Sequence, residues 1–145
     1  MMTGDAGGEM FEIGETARVT AGIVMLTVVG IESGGVLLLR IALGRHSATD
    51  FQKQFFRAGH AHAGMFVTLG LVCLLLAETT ELEGFWRWLA GTGVLVAAVL
   101  LPGGFFLSAA GTGRTEPNGW KILFPAGIVV LAAGVVTLAV GLLAG

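Results

Sequence analysis

Four long apolar runs, separated by short polar connections, set the pattern of this chain. They extend from about Thr20 to Leu39, Ala61 to Ala77, Trp88 to Leu107 and Ile122 to Leu143. A helix rises about 1.5 Å per residue, so roughly 20 apolar residues cross a hydrocarbon layer of ~30 Å. Each run therefore predicts a transmembrane helix. A membrane β-strand needs polar residues at every second position, and none of the runs alternates in that way. The expected architecture is all-α, an integral membrane bundle of four transmembrane helices. Residues 1–145 make one domain, with 1–17 as a polar N-terminal segment. The opening MMTGDAGGEMFEIGE has no basic stretch and carries Asp5, Glu9, Glu12 and Glu15. The first run is therefore expected to stay as a helix rather than to be removed as a signal peptide.

Composition agrees with the pattern. Hydrophobic residues make up 54% of the chain and charged residues only 12%, about half the share of a soluble domain. The mean hydropathy is +0.85. Twenty-four glycines are spread through the spans, and small residues let membrane helices approach closely, which favours a tight bundle or a homo-oligomer. The single cysteine, Cys73, excludes an intrachain disulfide and a thiolate metal cluster. A net charge of −2 with no basic block argues against nucleic acid as a partner.

Charge also sets an expected topology. Arg40, Arg45, Lys53 and Arg57 lie between the first two runs, and Arg114 and Lys121 between the last two. The opposite side is acidic, with Asp5, Glu9, Glu12 and Glu15 before the first run and Glu78, Glu81 and Glu83 after the second, against Arg87. The positive-inside rule then places the two basic connections in the cytoplasm and both termini outside, in a multi-pass protein of the inner (plasma) membrane.

The chemistry concentrates in GHAHAG, Gly59 to Gly64, at the start of the second run. Two residues of helix turn the chain by about 200°, so His60 and His62 point to nearly opposite sides and cannot share one metal from one straight helix. His62 shares a side with Phe66, Leu69 and Cys73, and His60 with Arg57, Gly64 and Thr68. One reading makes both histidines wet interfacial groups. The sharper reading makes one an axial haem ligand, with Gly64 and the alanines leaving room for a flat macrocycle. Zinc and di-iron sites need three or four ligands, which the sequence does not supply.

The segment RAGHAHAG resembles the Arg-Ala-His-x-Gly opening of helix two in styrene oxide isomerases, small four-span membrane proteins. GGFFLSAAG is similar to that family's Gly-Phe-Tyr-Leu stretch in helix three, and EPNGW to its Pro-Asn loop. Together the matched pieces lie between about Gly34 and Leu131. The resemblance implies a homotrimer holding haem b between subunits, with iron on His62 acting as a Lewis acid on the oxygen of a small apolar epoxide. The family's aromatic hydroxyl falls on Phe106 and its helix-two asparagine on about Thr68, and the chain has no tyrosine. Thr68 and Asn118 are the polar groups that stand in for them as substrate-orienting residues, with Phe106 as pocket wall. The H-A-H-x-G run is also similar to helices of haem-copper oxidase-like subunits, which again points to haem. Two further function classes remain beside the isomerase: haem-based electron transfer or sensing, and a structural bundle without cofactor.

Other residues carry two readings each. Glu32 lies about midway along the first run, where a carboxylate costs roughly 2.5 kcal/mol or more, so it is expected to face the bundle interior or to be protonated. Arg57 and Arg40 either clamp haem propionates or snorkel to set topology. His46 is expected in solvent. Trp86, Trp88 and Trp120 read as an aromatic belt, and Phe105 as packing.

Overall fold

The structure is a computed structural model that describes residues 12–145. Asp5 and Glu9, which entered the charge argument, lie outside the described residues. Four helices follow in order: α1 (Glu15–Ala42), α2 (Asp50–Ala77), α3 (Gly84–Ser108) and, after a 3-10 turn at Gly119–Ile122, α4 (Leu123–Ala144). Each is long and apolar enough to cross a membrane, and there is no strand among the described residues. The chain is thus an all-helical, multi-pass membrane bundle.

α3 is the centre of the packing. It lies against both α2 and α4, while α1 docks on α2 alone. Ala90, Val94, Ala97 and Leu101 recur at helical spacing along one side of α3 and are buried with Phe66, Val67, Cys73 and Ala77 of α2 and Leu138 of α4. In lipid the tails are as apolar as leucine, so this contact is held by close van der Waals packing rather than by the hydrophobic effect. Glycine makes the approach possible. A methyl group on Gly93 of α3 would sit 2.8 Å from the Cα of Gly134 of α4, backbone against backbone.

The outward faces carry the large apolar side chains that a soluble protein would hide. Leu26 and Val29 of α1, Val99 of α3 and Val129 and Leu143 of α4 are all more than two-thirds exposed, as lipid contact requires. Trp86, Trp88 and Trp120 are exposed near helix starts, where the aromatic belt reading places them. Glu32 differs from the expectation of an interior position: its side of α1 faces outward. The physical reason is the edge position of α1, which has one helical neighbour and so leaves most of its circumference uncovered.

Candidate functional site

α2 starts at Asp50 rather than near Ala61. A capping box fixes that start: Thr49 Oγ1 accepts from the Gln52 N–H at 3.2 Å, and Gln52 Oε1 accepts from the Thr49 N–H at 3.2 Å. The three turns this adds bring both histidines well inside the helix. Gln52 is buried, and its Nε2 donates to the carbonyls of Ala109 at 3.0 Å and Gly111 at 2.6 Å. Thr49 Oγ1 also donates to the Arg114 carbonyl. Gly111, at φ 118°, supplies a turn that an L side chain rarely adopts. The α3–α4 connection is thus tied to the first turn of α2, and the end of α3 is held beside the histidines.

The two imidazoles diverge as helical geometry predicts. His62 lies on the α3 side, its ring centroid 5.1 Å from Phe105 and 5.6 Å from Phe66. Its Nδ1 is 2.7 Å from the carbonyl oxygen of Ala58. A carbonyl only accepts, so the proton of that bond sits on Nδ1 and the lone pair of the neutral ring is left on Nε2. The ring is half-buried.

His60 lies on the α1 side. A methyl group on Gly34 would be 3.3 Å from its Nδ1, and one on Gly35 would be 3.5 Å from its Cε1. His60 is therefore level with a point inside the apolar run of α1, deeper than the membrane edge at which the sequence put it. A groove of about 440 Å³ opens there, lined by Thr27, Ile31, Gly34, His60, Ala63 and Phe106. No protein hydrogen bond engages either His60 nitrogen among the described residues.

Helix three reaches both sides at one glycine. A methyl on Gly59 would meet Phe105 Cβ and Phe106 Cε2, each at 3.0 Å, so Gly59 admits the two phenylalanines to opposite flanks of α2. Phe105 joins His62, Phe55 and Phe124. Phe106 stacks on Phe56 at 5.9 Å and lines the His60 groove. Phe105, expected as a packing residue, packs on His62, whereas Phe106, expected as a pocket wall, lines the His60 groove instead.

The remaining candidates scatter. Thr68 is exposed, and its hydroxyl donates to the Gly64 carbonyl at 3.0 Å, one turn back on its own helix. Gly64 has open space where a side chain would begin. Asn118 is occupied as a cap: its Nδ2 donates to the Leu107 carbonyl and its Oδ1 accepts from the Trp120 N–H, both at 2.9 Å. Arg57 lies one turn nearer the start of α2, beside Lys53 and the end of α1. His46 is exposed. No cluster of three or more His, Cys, Asp or Glu side chains occurs among the described residues.

The His62–Ala58 bond fixes the tautomer and the orientation of a neutral His62 ring, as a second hydrogen bond does for a histidine that ligates through its other nitrogen. No family model, curated protein or solved structure matches the chain.

Proposed function

We propose that this chain is a haem b-binding membrane protein with His62 as the axial ligand, related in kind to the styrene oxide isomerases that RAGHAHAG, GGFFLSAAG and EPNGW resemble. The observation that carries the reading is the His62–Ala58 hydrogen bond, which leaves Nε2 free beside two aromatic rings. Bound there, haem would supply a Lewis acid for the oxygen of a small apolar epoxide arriving through lipid. The chain's own part is to hold the imidazole and to keep water away with Phe66 and Phe105; the open space at Gly64 lies on the His60 side of α2. Retention of haem by the purified protein is the test.

Electron transfer or haem-based sensing is the second reading, and a specific observation favours it. An epoxide isomerase needs polar groups aimed at the reacting oxygen and carbon, whereas Thr68 and Asn118 direct their polar atoms to backbone partners and a phenylalanine occupies position 106.

We also propose a homo-oligomer, trimeric as the resemblance implies, in the plasma membrane with the basic connections inside. Glu32 supports this: an outward carboxylate near the middle of a span costs about 2.5 kcal/mol or more against lipid, a cost that a neighbouring copy covering α1 removes. Light scattering that returns one copy per detergent-solubilised particle would remove the oligomer from the account.

A further inference from the structure

A second groove lies between the last turn of α1 and the opening turns of α2, next to the His60 groove but lined by neither histidine. Leu38, Leu39, Ile41 and Ala42 form its apolar wall, Lys53 and Arg57 its charged one, and its volume is about 590 Å³. Its level in the membrane follows from the chain. The apolar run of α1 ends at Leu39 and gives way to Arg40, so the groove straddles the boundary between hydrocarbon and headgroups. Lys53 and Arg57 are four residues apart on one helix, which puts them on the same side with a rise of about 6 Å between them.

The two cations are poorly answered by the protein. Lys53 Nζ meets Asp50 Oδ1 at 3.0 Å, but the Asp50 side chain is 91% exposed, and an ion pair so open to water holds its partner weakly. Arg57 is exposed and has neither a carboxylate nor a hydrogen-bond acceptor among the described residues. Its planar fork of five donors matches an anionic oxygen group bidentately.

An apolar wall and a cationic wall meeting at the membrane surface select one class of molecule. We infer that this groove is a binding site for an anionic phospholipid, with the acyl chain along Leu38, Leu39 and Ala42 and the phosphate between Lys53 and Arg57. A free phosphate would satisfy the cations and leave the apolar wall without a partner. A zwitterionic lipid would fill the wall while its own cation opposed Lys53 and Arg57. Only an anionic amphiphile answers both walls, which is the physical basis of headgroup pockets between membrane helices. Simple snorkelling of two long side chains into water, the alternative for such cations, predicts no lipid preference. Neither histidine lines this groove, so the inference takes Arg57 as a phosphate partner rather than a propionate clamp and needs no haem ligand.

The test uses the full chain, stripped of lipid in mild detergent and titrated with phosphatidylglycerol or phosphatidylcholine of equal chain length. Bound lipid is counted by native mass spectrometry. Wild type should hold phosphatidylglycerol about tenfold or more tighter than phosphatidylcholine, the scale of one charge-assisted hydrogen bond. Lys53→Gln with Arg57→Gln should erase that preference, Arg57→Lys should keep most of it, and Lys121→Gln, on the other basic connection, should leave it unchanged. Ala42→Trp, which fills the apolar wall and keeps both charges, should also lose the lipid. Circular dichroism of each variant identifies those that fold. Equal binding of the two lipids by wild type, an undiminished preference in the folded double variant, or displacement by millimolar inorganic phosphate would each overturn the inference.

Discussion

The Nδ1 of His62 lies 2.7 Å from the carbonyl oxygen of Ala58, one helical turn earlier. That contact decides which nitrogen can act. With the proton held on Nδ1, the lone pair on Nε2 is presented from a ring already oriented by Phe66 and Phe105. His60, on the opposite flank against Gly34 and Gly35, has no such constraint.

The ligand assignment follows. His62→Ala should abolish haem retention, whereas His60→Ala should leave most of it, measured as the Soret absorbance per protein after purification. Phe105→Leu should shift the His62 haem spectrum because its ring packs on the imidazole, and Phe106→Leu should not. Equal loss from both histidine variants would point to ligation by both.

A phenol hydroxyl tests the isomerase reading. Wild type should show weak or no conversion of styrene oxide to phenylacetaldehyde, because no tyrosine is present. If the reacting pocket is built on His62, Phe105→Tyr should raise turnover by about tenfold or more, the scale of one well-placed donor in a dry site, and Phe106→Tyr should not. The reverse result would move the reacting pocket to the His60 groove.

The spans were legible in the sequence because uninterrupted hydropathy is a strong signal over 20 residues. So was the divergence of His60 and His62, which needs only the helical repeat. The start of α2 was not, because Asp50 to Arg57 is polar enough to pass for a loop; the signal was there in Thr49-Asp-Phe-Gln52, a capping box. Which way Glu32 faces and which phenylalanine meets His62 were not legible. Both depend on which neighbour each helix has, and nearly uniform apolarity around a membrane helix leaves little amphipathic pattern to mark its inner face.

The contact of α3 with α4 makes a stability prediction. At Gly93 and Gly134 the obstacle to a side chain is backbone, which cannot rotate away. Gly93→Ala and Gly134→Ala should each destabilise the bundle by about 1–3 kcal/mol, as overpacking does, seen as a lower thermal midpoint in detergent. Gly22→Ala, where a methyl meets open space, should be close to neutral. Similar midpoints for all three would show that the helices separate more easily than this packing implies.

Sidedness is open to direct labelling. Six basic residues in the α1–α2 and α3–α4 regions outweigh Arg18 and Arg87 at the other end, so a cysteine at Ser47 or Thr115 should be shielded from an impermeant thiol reagent in intact cells. Cys73 is buried and gives little background. Labelling at either site before lysis would invert the orientation.

The central claim, that His62 is built to carry haem, is tested most directly by the optical spectrum of the full chain, expressed with haem supply and purified in mild detergent. Wild type should show a Soret band that travels with the protein through size exclusion and a b-type signature after pyridine extraction, both lost in folded His62→Ala. A correctly folded wild-type protein with no Soret band would contradict it and leave a structural bundle without cofactor.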